Sequence, residues 1–327
     1  MLLPDWGAWK TWRVPWYLDQ LERGKADVVH LQYPAKVYRA SVAPLLVLSR
    51  RKWARLVTLH EWCQSHTLRR YLSMAIVMRS DAAVFTSEYE IAEWRRWHGR
   101  LGMSKNRKVT VIPIGSNIGD WGEAEGGESR ADEVVYFGLI RPDKGLEQFL
   151  QTARKAWETG YSWRFVVIGR TPSGCEHYAQ RLRTQAEACP NVEWIGPLDA
   201  KLALTRMRRA KVAYLPYPDG VSERRGTLLA AFSAGLAVVT RIGDGTTASL
   251  RATVAVVDRE EEAVETIAKL LGDEMGRARL AAMGREYLRA RTWESIARNH
   301  VRLYEEIVAN KRGRTSRSSE REQRRVL

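Results

Sequence analysis

The stretch from Pro218 to Thr240, PDGVSERRGTLLAAFSAGLAVVT, gathers residue types that can hold a phosphate. Gly220 and Gly226 relax the backbone, and Ser222 or Thr227 can cap the first turn of a helix built on the apolar run Leu228 to Phe232. Gly235 ends that helix, and Leu236 to Val239 begins a strand. A helix amino-terminus presents free N–H groups and about half a positive charge, so with Arg224 and Arg225 beside it the loop suits the negative end of a nucleotide. An ordinary loop, helix and strand with two solvated arginines is the alternative reading.

The elements that must position this loop follow from hydrophobic periodicity. ADVVHLQY, ARLVTLHEW, DAAVFTSEY and KVTVIPIG are short β-branched runs separated by helix-length segments. The series EVVYFG, RFVVIG, VEWIG, KVAYLPY, AVVT and TVAVVD repeats the pattern, with helices starting near Lys144, His177, Asp199, Arg225 and Glu260. Such alternation specifies parallel strands with crossover helices. Gly138, Gly169 and Gly196 end strands and let backbone approach a ligand at the carboxyl edge of the sheet. A helix is expected from about Pro15 to Arg23, with Trp6, Trp9, Trp12 and Trp16 spaced for one face. SEYEIAEWRRWHG reads as another, with Ser87 and Glu90 in capping-box spacing. TWESIARNHVRLYEEIVAN, Thr292 to Asn310, reads as a long amphipathic helix.

The whole chain of 327 residues with 45% hydrophobic content supports about two packed domains. No apolar run reaches the ~20 residues a membrane helix needs and no signal-peptide pattern stands at the start, so a cytoplasmic protein is expected. Cys63, Cys175 and Cys189 lack metal or disulfide spacing and are expected as reduced thiols. The net charge of +15 allows nucleic acid, an anionic membrane or an anionic substrate as partner. A third of it lies in KRGRTSRSSEREQRRVL, expected as a disordered tail with seven basic and two acidic residues. RRKWAR and WRRWHGR interleave arginine with tryptophan, which fits a peripheral membrane face or, alternatively, core tryptophans beside solvated arginines. A nucleic-acid-binding protein would rest on the charge alone, without a reading motif.

Taken together, the motifs resemble the GT-B glycosyltransferases, and in particular retaining family 4. The likeness runs over about residues 25 to 310 and is carried by VVYFGLIRPDKGLEQFL, NVEWIGPLDAKLALTRMRRAKVAYLP, the Pro218 to Thr240 loop, TWESIARNHVRLYEEIV and VTLHEW. It implies an α/β chain of two Rossmann-like domains whose parallel sheets face a central cleft, with the last helix returning to the first domain. The boundaries expected are 1–120 for the acceptor domain, 121–131 for the Gly- and acid-rich linker, 132–291 for the nucleotide-sugar domain, 292–310 for the closing helix and 311–327 for the tail. The resemblance implies transfer of a sugar, with retention of configuration, from a nucleotide diphosphate sugar to a glycan or lipid-linked acceptor, as in polysaccharide biosynthesis. It makes Lys144 and His60 the candidate catalytic residues, Lys144 stabilising charge on the departing β-phosphate and His60 facing the transfer site. Gly138, Arg141, Lys144, Ser222, Glu223, Arg225, Gly226 and Thr227 are the donor-binding candidates, with no metal and no cofactor beyond the donor.

The chain departs from the family pattern in three places. Leu139 stands where the family has Arg, with Arg141 two positions on. Ser222 and Ala230 fall where it has two glutamates, with Glu223 one step away. The family's first strand and glycine-rich loop should precede ADVVHLQY, which begins at Ala26, so the first domain is expected to be short and its first strand open along one side. These departures give the alternative of a catalytically silent binding or scaffold subunit.

Overall fold

The computed structural model describes residues 9–38, 41–100, 108–118 and 130–326. The chain divides into two compact units, Met1–Pro113 with Glu294–Leu327, and Ile114–Trp293. The linker expected over 121–131 lies, up to residue 129, outside the described residues, as does Trp6.

In the first unit α1 (Val14–Arg23) leads to β1 (Val28–Tyr33), α2 (Ala35–Tyr38), α3 (Ala43–Ser49), β2 (Ala54–Leu59), α4 (Thr67–Arg79), β3 (Ala82–Phe85), α5 (Glu88–Arg100) and β4 (Lys108–Val111). Pro15 sits in the first turn of α1, where its missing N–H costs nothing. The Ser87 hydroxyl accepts the Glu90 amide at 3.2 Å, as its spacing predicts. The four strands are parallel in the order β1-β2-β3-β4. Val57 and Leu59 on one face pack with Trp62, Met74, Ile76 and Trp94. Ala54 and Leu56 on the other pack with Ile296, Leu303 and Ile307 of the last helix. Because both faces are covered, every residue of β2 is buried, Arg55 and Thr58 included, rather than every second one. Strand β1 has β2 as its one neighbour among the described residues, the half-open edge that the sequence leads one to expect.

The second unit runs β5 (Ala131–Phe137), α6 (Leu146–Glu158), β6 (Arg164–Ile168), α7 (Glu176–Glu187), β7 (Val192–Gly196), α8 (Ala200–Arg208), β8 (Ala210–Leu215), α9 (Gly226–Ser233), β9 (Ala237–Thr240), α10 (Ala248–Arg251), β10 (Ala255–Val256), α11 (Glu260–Gly272) and α12 (Glu274–Arg289). Its six parallel strands lie in the order β10-β9-β8-β5-β6-β7. The first strand of the unit is thus central, and the chain winds outward on one side before crossing to the other.

Helix α13 runs from Trp293 to Val326. It continues past Asn310, where a disordered tail is expected, because the stretch holds no proline and an established helix extends at one hydrogen bond per residue. The interleaved tryptophans are largely core: Trp53 and Trp94 are buried, and Arg55 is buried against Asp81, its Nη2 2.8 Å from Oδ1.

Candidate functional site

Strands β5 and β8 are neighbours whose following chains depart toward opposite sides of the sheet, so a crevice opens at their carboxyl ends. The loop 138–145 after β5 and the loop 216–226 after β8 line it. They touch backbone to backbone. A Cβ at Gly145, whose φ is +81°, would stand 2.1 Å from the Pro216 carbonyl oxygen, so this position admits only glycine. Gly138 lies against Tyr136 and the Thr227 methyl, and the Gly169 backbone closes on the Gly138 carbonyl from the β6 side.

Into this crevice the two loops bring like charges. Burial, then Arg225 and Arg141, pull the Lys144 ammonium from 10.5 down to about 8, against the opposing pull of Asp219 and Asp143. Asp143 itself holds a left-handed backbone, φ +64°, at the tight turn that delivers Lys144. Arg225 lies over the Tyr217 ring at 4.5 Å and pairs with Asp219, while its buried Nε donates to nothing among the described residues. Cations gathered this closely, with one kept half-buried, cost free energy unless an anion compensates them.

The amino-termini of α6 and α9 open on the same loops, and neither has a side-chain cap: the cap residues are Gly145 and Arg225. Asp199, Thr247 and Asp273 do cap α8, α10 and α12. Neither Ser222 nor Thr227 fills the capping role expected of it. The Thr227 hydroxyl is engaged with the buried Tyr217 hydroxyl at 2.5 Å, and Ser222 accepts the Arg225 amide through its backbone carbonyl at 3.1 Å. Two helix ends beside these cations are therefore left without side-chain caps, as α7 also is, with N–H groups that suit an anion.

Glu223, expected at the donor, turns inward. It is 4% exposed, and its Oε1 accepts from Arg291 Nη2 and the Tyr287 hydroxyl, each at 3.1 Å. The Arg291 guanidinium stacks on the Tyr287 ring at 3.7 Å. A carboxylate excluded from water needs such partners, so Glu223 ties the loop to the end of α12 rather than reaching out toward a donor. Ala230 is buried in the core, Leu139 is exposed at the family's arginine position, and Gly226 faces open space. Sequence reasoning passes over Tyr217 and Asp219; the PYPD turn six residues ahead of Arg225 carried that signal.

His60 belongs to the first unit, at the carboxyl end of β2. Its amide donates to the Tyr33 carbonyl at 3.3 Å and its Nε2 lies 2.7 Å from Gln32 Oε1.

Residues 131–273 match the model of the family Glycosyl transferases group 1. Among curated protein sequences none matches significantly. Among solved structures, a glycosyltransferase from Rickettsia africae superposes with a TM-score of 0.73 at 14% identity, over 92% of this chain and 82% of that one. A UDP-forming α,α-trehalose-phosphate synthase from Burkholderia vietnamiensis gives 0.68 at 16% identity, over 92% and 76%. A trehalose-6-phosphate synthase studied for glycosyltransfer with retention gives 0.65 at 12%, over 90% and 77%. The chain thus has the fold of the GT-B glycosyltransferases, and within it residues 131–273 carry the match to Glycosyl transferases group 1.

Proposed function

We propose that this protein transfers a hexose-type sugar from a nucleotide diphosphate sugar to a glycan or lipid-linked acceptor with retention of configuration. The observation that carries the reading is the convergence of Lys144, Arg141 and Arg225 on two helix amino-termini that have no side-chain caps. When the anomeric bond breaks, negative charge grows on the β-phosphate, and fixed cations and N–H dipoles there favour the transition state over the ground state. Lys144 is the closest match to that task, with Arg141 in place of the family's arginine at Leu139 and Arg225 as the third cation. In this reading the diphosphate charge is met by side chains and helix ends, with no metal ion called for. Ser222, Gly226 and Thr227 frame the donor; retention is supported by the resemblance and by the retaining transfer studied in the trehalose-6-phosphate synthase, and a role for His60 at the sugar by the resemblance.

The test is calorimetric titration with UDP and GDP, and release of either from UDP- and GDP-hexoses. A charge-assisted contact is worth roughly 1.5–3 kcal/mol, so Lys144→Ala should weaken diphosphate binding about ten- to hundredfold. Unchanged affinity would remove Lys144 from the site. Binding without turnover would instead select the silent subunit, a reading favoured by the inward Glu223 and the buried Ala230.

We also place the first unit at the inner face of the cell membrane. Trp12 in the 3-10 turn before α1 and Trp16 in the first turn of α1, with Arg13 4.8 Å above the Trp12 ring, are exposed, as are Leu68 and Tyr71 on α4 beside Arg69 and Arg70. Exposed indole rings and arginines suit the headgroup boundary of an anionic leaflet. No helix among the described residues is long and apolar enough to cross a membrane.

A further inference from the structure

A chain of polar side chains links His60 to the last helix through Gln32 and His30. His60 Nε2 lies 2.7 Å from Gln32 Oε1, and Gln32 Nε2 lies 3.1 Å from His30 Nε2. The same His30 nitrogen lies 2.8 Å from the Thr58 hydroxyl, and His30 Nδ1 lies 2.7 Å from the hydroxyl of Tyr304 on α13. Leu303 and Ile307 bury that turn of α13 against the sheet, so Tyr304 is a fixed point.

An amide nitrogen only donates and an amide oxygen only accepts. With Gln32 turned this way, His60 Nε2 carries the proton and donates to Oε1. His30 Nε2 is bare, its one lone pair shared between the Gln32 amide and the Thr58 hydroxyl, and His30 donates from Nδ1 to Tyr304. Burial first, then His300 and His60, bring the His30 imidazole down to about 4, so it is neutral and holds one proton across the physiological range. Turning the Gln32 amide over would reverse both histidines together, because each end of the amide changes from donor to acceptor. The two rings are therefore locked to one another through a side chain that is itself at the surface.

We infer that Gln32, braced by His30 and Tyr304, is a positioning residue that fixes the tautomer of His60 with its proton on Nε2 and its basic lone pair on Nδ1. The inference rests on the reading of His60 as a residue at the sugar. A histidine held in one tautomer presents the same nitrogen to every substrate molecule, whereas a loose ring offers the wrong one part of the time.

The experiment is two-bond nitrogen–proton spectroscopy of the 15N-histidine-labelled protein, with His30→Gln and His60→Gln to assign the signals. In the unaltered chain His60 is expected as a single Nε2–H tautomer and His30 as Nδ1–H. Gln32→Leu should turn His60 into a mixture without moving the unfolding midpoint, since Gln32 is exposed. Gln32→Glu presents two acceptor oxygens, so His30 should switch to Nε2–H while His60 stays as it is, an outcome that loss of packing would not produce. On whichever UDP- or GDP-hexose turns over, Gln32→Leu should lower kcat about tenfold with donor KM held within about twofold. A single Nε2–H tautomer of His60 persisting in Gln32→Leu, or an unswitched His30 in Gln32→Glu, overturns the inference. Full donor turnover by His60→Ala would overturn its catalytic part, and unchanged diphosphate binding in that variant would show that the fault lies at His60 and not in the donor site.

Discussion

If Lys144 meets a diphosphate, as proposed, that binding is titratable in a way that can be measured. In the free protein its ammonium is held near about 8 by burial and by Arg225 and Arg141. A bound diphosphate favours the charged form and pulls that value back up, so the protonated fraction rises on binding wherever the free residue is partly neutral. Binding of UDP near pH 8 should therefore take up protons, seen as a dependence of the calorimetric heat on buffer ionisation enthalpy, and affinity should fall as pH climbs beyond about 8. Lys144→Met should abolish the uptake. A binding constant flat across about pH 7 to 9 would mean that no partly neutral lysine meets the phosphate. Glu223 allows a second test at this scale. Its pairing with Arg291 is excluded from water, with side chains 4% and 12% exposed, and removing one partner of such a pair leaves the other charge buried. Glu223→Ala should cost about 3–5 kcal/mol in urea unfolding, while UDP affinity of the folded fraction changes little. A large loss of affinity at full stability would return Glu223 to the donor. The sequence displays a carboxylate beside two arginines and so points outward; Arg291, which turns it inward, lies 68 residues along the chain, beyond any local pattern.

The elements themselves were legible where hydrophobic periodicity is strong. Among the described residues all ten strands fall on the β-branched runs, and α6, α7, α8, α9 and α11 begin within a few residues of the expected positions. What the sequence does not reveal is where a backbone meets another backbone, because that depends on strand order. Gly145 opens α6 in sequence, but its necessity comes from Pro216 after β8, two strands that become neighbours only in the folded sheet. The same holds for the caps, since Thr227 is an able cap by type and is taken instead by Tyr217. Gly145→Ala combines a left-handed backbone with a 2.1 Å clash against a carbonyl, whereas Gly160→Ala at φ +88° meets nothing within 4 Å. The second should cost about 1 kcal/mol from backbone strain alone. The first should cost clearly more in urea unfolding and should also weaken UDP binding, because relief of the clash separates the two loops. Equal costs for the two changes would show that the contact between the loops is not tight in solution.

Across the whole molecule, the proposed seat on a membrane would draw on two sources of affinity, the +15 charge and the exposed apolar rings, and they are separable. The basic stretch from Lys311 onward, on the far part of α13, attracts an anionic surface over a screening length and adds no aromatic insertion. Trp12, Trp16, Leu68 and Tyr71 are apolar and exposed in the first unit, so their share persists in salt. Sedimentation with phosphatidylserine-containing vesicles should show binding by the full chain that weakens, without vanishing, as salt rises. Stopping the chain after Asn310 should remove mainly the salt-sensitive part. Trp12→Ser with Trp16→Ser should lower partitioning at high salt about tenfold, because two large rings lose their place at the headgroup boundary. Both tryptophans lie outside the buried core, so the double variant should keep its unfolding midpoint and its UDP affinity. If the full chain ignores anionic vesicles at low salt, the exposed rings and the basic helix serve something other than a bilayer, and the acceptor is to be sought among soluble glycans.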